Sequence, residues 1–250
     1  MEQRFTGKTV IVTGSSSGIG VCIARRFATE GANVVLAARR KDRLDALAAE
    51  LGAFAVTTDV TREKDVRAMV QAAADRFGGI DVLVSNAGAG MLKEFADTTI
   101  DDWRGSMATN VDSCFFGAQA ALPYLKRSRG NIVQIASASG LGGDRRMTAY
   151  NAAKGAVVNF TRGLAFDLGQ DGVRVNTVAP ALTVPDDAAP RYQHLIDKFN
   201  DRRAIKTYAT PADVAGAVAF LASADARMIT GVILPVDGGI TAASGQPPLF

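Results

Sequence analysis

Short β-branched runs and longer amphipathic segments alternate along nearly the whole chain, and this alternation constrains the fold more than any other feature. The runs fall at 8–14 (KTVIVTG), 32–38, 53–59, 81–88, 130–137, 173–180 and 231–239. The first five are almost continuously apolar, as strands covered on both faces are. Between them, segments 18–30, 41–51, 62–77, 100–127 and 148–169 repeat apolar residues at three and four, the helical period. Strand, helix, strand in succession requires crossovers and a parallel sheet. The expected fold is α/β: a doubly wound, Rossmann-like parallel sheet of about seven strands with helices on both faces.

A chain of 250 residues, 48% hydrophobic, has apolar material for one core, so residues 1–250 are read as a single domain. Charged residues make up 21% and leave a net charge of only +3, with no run of five like charges. Neither nucleic acid nor a membrane surface is an expected partner. Two cysteines, Cys22 and Cys114, and the lack of a long apolar segment point to a soluble protein of the reducing cytoplasm. No His/Cys cluster has zinc spacing, so no metal is expected. Residues 181–210 break the rhythm with Pro185, Pro190 and several charges, as an excursion capping a pocket would.

The first run leads into three glycines, Gly14, Gly18 and Gly20. Ligands of open α/β sheets sit beyond the carboxyl ends of the strands, which is where these glycines fall. Gly14 permits a tight turn, Gly18 a close backbone approach to a pyrophosphate, and Gly20 close packing of the helix that starts near Ile19. That helix's first amides would face phosphate, with the hydroxyls of Ser15, Ser16 and Ser17 beside them. No Gly-Lys-Ser/Thr follows, which excludes a Walker A loop. The glycines alone leave a dinucleotide site and an ordinary βα turn both open.

Asp59 and Val60 end the third run, and Asn86, Ala87 and Gly88 end the fourth, at the same sheet edge as Gly14. The Asp59 carboxylate suits an adenine amino group, and the small residues after Asn86 leave room for a flat ribose and ring. Tyr150 and Lys154 stand four apart in a helical segment, hence on one face. A phenol titrates near pH 10, and a neighbouring ammonium favours its ionised form. Ser137 ends the fifth run, where its hydroxyl suits a substrate oxygen that develops charge.

With TGSSSGIG at 13–20, SNAG at 85–88, Asn110, Ser137 and YNAAK at 150–154, the chain resembles the short-chain dehydrogenase/reductase family, through VDGG at 236–239. The resemblance implies that Tyr150 exchanges the proton and that Lys154 lowers its pKa while holding the nicotinamide ribose. It implies that Ser137 orients the carbonyl or alcohol, and that Asn110 anchors a water leading to Lys154. The hydride belongs to the nicotinamide. Family members are mostly dimers or tetramers, so a homo-oligomer built on segments 100–127 and 148–169 is expected, with the QPPLF tail at 246–250 against a neighbour or untethered.

An acid at the end of the second run would accept from the ribose 2′-hydroxyl and repel a 2′-phosphate. Here that run ends Ala37-Ala38 and continues Arg39-Arg40, which favours NADPH over NADH. Family members usually carry Pro-Gly and then Thr after the sixth strand. This chain has Pro180-Ala181-Leu182-Thr183-Val184-Pro185, so only Pro180 is carried over as a cofactor contact, with Thr183 an open substitute. Leu141, Met147, Leu182, Val184 and Phe199 are expected to make the pocket partly apolar. Arg145, Arg146, Arg191, His194, Lys198, Arg202 and Arg203 would draw an anion or form solvated helix faces.

The resulting expectation is an NADPH-dependent oxidoreductase that interconverts a small or medium carbonyl compound and its alcohol. Two alternatives stand beside it. One is a 3-oxoacyl-(acyl carrier protein) reductase docking through Lys126, Arg127, Arg129 and Arg162. The other is a non-catalytic NADP-binding sensor.

Overall fold

Val10 and Val12 of the first strand face one helical layer and Ile11 faces the other, the period-two split expected of a strand buried on both sides. The computed structural model describes residues 3–246. Seven strands form one parallel sheet: β1 (Thr9–Thr13), β2 (Asn33–Ala38), β3 (Phe54–Thr57), β4 (Val82–Ser85), β5 (Asn131–Ile135), β6 (Arg174–Pro180) and β7 (Ile233–Val236). Their spatial order is β3-β2-β1-β4-β5-β6-β7, so the winding direction reverses between β1 and β4. That reversal opens a crevice at the carboxyl ends of the strands.

Three helices, α1 (Gly18–Thr29), α2 (Lys41–Leu51) and α8 (Pro211–Ala222), cover one face. Opposite them lie α3 (Glu63–Phe77), α5 (Ser113–Ser128) and α6 (Thr148–Gly169). Both α2 and α3 stop at glycines in the left-handed region, Gly52 at φ 64° and Gly78 at φ 81°, where other residues are strained. The predicted segment 100–127 proves to be two helices. Helix α4 (Ile100–Met107) and α5 are joined by a π-helical turn, Ala108–Asp112. Residues 211–222, not read as an element from the sequence, form α8, which packs on α1 through Val214, Val218 and Leu221.

Within 181–210, helix α7 (Ala189–Asn200) follows a short 3-10 turn and shares a small core of Val184, Ala189 and Ile196, with Leu182 and Tyr208 against it. Ala204 and Ile205 tie this unit to the loop beyond β7, both amides donating to the Gly238 carbonyl, and Arg203 braces it from within. Its buried guanidinium donates to the carbonyls of Leu182 at 2.6 Å and Thr207 at 2.8 Å. Among the described residues, no helix is long and apolar enough to cross a membrane. The apolar end of the tail, 247–250, lies outside the described residues.

Candidate active site

A cleft of about 700 Å³ opens at the reversal point. It is lined by Gly14, Ser16, Ser17, Ile19 and Gly20 from the first turn, Arg39 and Arg40 after β2, and Asp59 and Val60 after β3. Asn86, Ala87 and Gly88 follow β4, and Ser137, Tyr150, Lys154 and Pro180 close the far end. Sequence reasoning omitted Thr58, Thr61, Ala89, Gly90, Thr109, Ile135, Ala136 and Ala181, which also line it. Their only signal is adjacency to residues that carried one.

Two expected residues stand outside the lining. Gly18 is exposed at the start of α1 with φ 55°, and open space surrounds the position a Cβ would take. Asn110 is fully buried in the π turn. Its amide nitrogen donates to the carbonyls of Ala89 at 3.1 Å and Ser106 at 3.0 Å, and its oxygen accepts from the Ala89 amide at 3.2 Å. Both of its N–H donors are therefore engaged, and only an oxygen lone pair remains for the water expected there.

Gly14 has φ 67°, and a Cβ there would lie 2.8 Å from Ala87 Cα. At Gly20 a Cβ would lie 2.4 Å from the Gly14 carbonyl oxygen and 2.6 Å from Asn86 Nδ2, so the turn, the helix and the β4 loop meet at a point only glycine fits. Asn86 Nδ2 also donates to the Thr13 carbonyl at 2.8 Å. The Ser17 hydroxyl does not cap α1, and the first turn of that helix has no acidic residue. The amides of the helix start thus remain available to an anion. Arg40 Nη2 donates to Ser16 Oγ at 2.9 Å and Ser17 Oγ at 2.7 Å, placing a guanidinium beside two hydroxyls. Asp59 accepts from both the amide (3.0 Å) and the hydroxyl (2.8 Å) of Thr61, and these bonds, first the hydroxyl's, hold its carboxyl below the usual range.

At the other end Ser137 begins a 3-10 turn two residues beyond β5. Lys154 is buried on α6, and its ammonium donates to the Ile135 carbonyl at 2.8 Å. Burial pushes this ammonium down from its ordinary value. Tyr150, one helical turn earlier, is pushed up by burial, with the bond to Ser137 opposing and the Asp144 carboxylate reinforcing that rise. This runs against the expectation that Lys154 lowers the phenol: burial is the leading cause, and Lys154 is not among the groups that shift it in this arrangement.

The expected apolar pocket is corrected. None of Leu141, Met147, Leu182, Val184 and Phe199 lines the cleft, because Val184 and Leu182 build the core of the 181–210 unit and the Phe199 ring lies under Arg203. Met147 is nearest, its Cε 3.9 Å from where a Gly90 Cβ would stand. The cationic set also divides. Arg203 is buried, Arg146 pairs with Glu94 at 3.0 Å, and Arg145, Arg191, His194, Lys198 and Arg202 are exposed. The Thr183 hydroxyl donates to the Ala181 carbonyl at 3.1 Å, outside the cleft lining.

A family model described as enoyl-(acyl carrier protein) reductase matches residues 14–241. Meso-2,3-butanediol dehydrogenase of Serratia marcescens is 46% identical over 250 residues, covering 99% of this chain and all of that one. L-fucose dehydrogenase of Oryctolagus cuniculus is 38% identical over 259 residues, covering 99% of this chain and 89% of the relative. The crystal structure of gox2181 superposes with a TM-score of 0.91 at 29% identity, covering 96% of this chain and 98% of that one.

Proposed function

The chain belongs to the short-chain dehydrogenase/reductase family, an oxidoreductase acting on CH–OH groups, and on that premise we propose an NADPH-dependent enzyme in which Tyr150 exchanges the substrate proton. The observation that carries this reading is the convergence of Ser137, Tyr150 and Lys154 at one end of a cleft whose other end holds Arg39 and Arg40. The cleft fits a dinucleotide: Gly14 and Gly20 leave no room for side chains, α1 presents uncapped amides, and two guanidiniums meet the adenosine end. The bound nicotinamide supplies or accepts the hydride.

This chain's own residues do the rest. Tyr150 gives its phenolic proton to the carbonyl oxygen in reduction and regains it in oxidation. Lys154 holds the ribose hydroxyls, and its positive charge favours the phenolate as the proton leaves. Ser137 orients the reacting oxygen, Asn110 braces the 88–90 loop beside Lys154, and residues 181–210 serve as a lid. Arg39 and Arg40 favour a 2′-phosphate, since no carboxylate stands at that strand end. Names such as butanediol and fucose dehydrogenase among the relatives support a small, polar hydroxy substrate.

Of the four cations named for acyl-carrier docking, Arg162 is exposed and the other three have local roles. Lys126 pairs with Asp171 at 2.8 Å, Arg127 lies over the Tyr124 ring, and Arg129 forms the left-handed end of α5. A homo-oligomer is favoured by the exposed Trp103, Phe115 and Phe166 on α4, α5 and α6.

A panel of diols, sugars, ketones and keto acids assayed with NADPH or NADP⁺ tests the function. Turnover of a hydroxy/keto couple, lost in Tyr150→Phe with NADPH binding retained, is the expected result. Undiminished turnover in Tyr150→Phe overturns it.

A further inference from the structure

None of the cations that the sequence offers to an anionic substrate lines the cleft, and the charge that stands behind Ser137 is negative. Ser137, which shares a hydrogen bond with the Tyr150 phenol, has its Oγ 3.1 Å from Ser139 Oγ. Ser139 Oγ in turn donates to Asp144 Oδ2 at 2.5 Å. The carboxylate is therefore within two hydrogen-bond lengths of a hydroxyl that lines the cleft.

Its charge is not cancelled by a cation. Among the described residues no lysine or arginine pairs with Asp144: Arg145 is exposed, Arg146 is held by Glu94 at 3.0 Å, and the Lys154 ammonium is turned to the Ile135 carbonyl at 2.8 Å. The loop also fixes where Asp144 stands, since its backbone carbonyl accepts from Asn151 Nδ2 at 2.9 Å and from the Met147 amide at 3.3 Å. The charge reaches the reacting groups. Burial is the first cause that raises the Tyr150 phenol, the Ser137 bond opposes it, and the Asp144 carboxylate adds to the rise.

We propose that Asp144 is a specificity-determining residue whose carboxylate sets the substrate class of this site as uncharged hydroxy and carbonyl compounds, turning away those with a carboxylate close to the reacting carbon. The inference rests on the reading above, in which Ser137 and Tyr150 meet the reacting oxygen. Specificity is a difference of affinities, and a fixed like charge rejects one class of molecule directly. Repulsion between two unit charges roughly 7–10 Å apart in a partly wet site amounts to about a tenfold effect on binding. Asp144 acts here through its field and touches neither substrate nor cofactor. Its influence on the phenol falls on both classes alike and cancels in a ratio.

Acetoacetate and acetoacetamide share a keto group and nearly the same shape and differ in charge, so the test is their reduction at a saturating reduced nicotinamide cofactor. Wild type should have the higher kcat/KM for the amide. In Asp144→Asn, which keeps an acceptor for Ser139, the amide-to-anion ratio of kcat/KM should fall about tenfold. Raising salt from roughly 0.02 M to 0.5 M should narrow the wild-type ratio at least about threefold more than the variant's, because an exposed charge is screened. A wild type that prefers the anion, a ratio that Asp144→Asn leaves within twofold of wild type, or a wild-type ratio no more sensitive to salt than the variant's overturns the proposal and leaves the enzyme reading intact. So does a wild type that turns over another ketone and not the amide. Turnover of no ketone and no alcohol overturns both.

Discussion

The Lys154 ammonium donates to the Ile135 carbonyl at 2.8 Å while its nitrogen stands 5.7 Å from the centroid of the Tyr150 ring. One residue thus anchors α6 to the end of β5 and sets the charge beneath the phenol. Tyr150→Phe removes the proton donor and little packing, so turnover should fall by roughly 10²–10⁴-fold with the unfolding midpoint nearly unchanged. Lys154→Met should lower turnover as well, and should also destabilise by about 1–3 kcal/mol because the Ile135 carbonyl loses its partner. Steady-state rates and urea denaturation of the two variants separate these effects. Equal destabilisation by both would contradict the structural part of the assignment.

Gly20 and Gly18 differ in what surrounds them. A methyl group at residue 20 meets the Gly14 carbonyl and Asn86 Nδ2, whereas residue 18 has open space but a left-handed φ of 55°. Gly18→Ala should therefore cost only the conformational strain, about 1–2 kcal/mol. Gly20→Ala must displace backbone and should abolish NADPH binding or folding. Thermal melts with and without NADPH compare them, and equal tolerance at both positions would refute the close approach.

Arg40 touches two serine hydroxyls, and Arg39 lines the same end of the cleft. Each charge-assisted contact with a 2′-phosphate is worth roughly 1.5–3 kcal/mol. Replacing both by Ser should raise KM for NADPH by at least about tenfold while changing that for NADH little. If wild-type kcat/KM with NADH already equals that with NADPH, the arginines do not select the cofactor.

Much of this architecture is legible along the chain because it is carried by local pattern. The continuous apolar runs mark the buried strands, and Gly14, Ser137, Tyr150 and Lys154 all reach the predicted cleft. What escapes is set by tertiary contact. The break between α4 and α5 arises where Asn110 turns its amide to Ala89 rather than to solvent, and the helical period runs straight through it. Helix α8 is apolar on most sides, since it is wedged between α1 and the sheet, and so it lacks a polar face to reveal the period. Arg203 reads as a surface cation, yet it is buried because the carbonyls of Leu182 and Thr207 receive it. The hydrogen bonds that run from Ser137 to Ser139 and from Ser139 to Asp144 have no spacing signature, as they follow from the path of one loop.

Glu30 gives a pH test remote from the cleft. The residue is buried at the end of α1, and burial alone would raise its carboxyl. Hydrogen bonds from Arg4, at 2.6 and 2.9 Å, and from Arg26 outweigh burial and hold it below the usual carboxylate range. The folded pKa is thus lower than the unfolded value of about 4.3. The stabilisation is then complete above that value and is lost as pH falls through the folded pKa. Urea unfolding between pH 7 and pH 3 should show wild type losing stability below about pH 4.3 more steeply than Glu30→Gln. The variant should be weaker at pH 7 and converge on wild type in acid, because protonation removes from the native protein what the substitution removes at every pH. Parallel curves over that range would mean that the two arginines contribute nothing through this carboxylate.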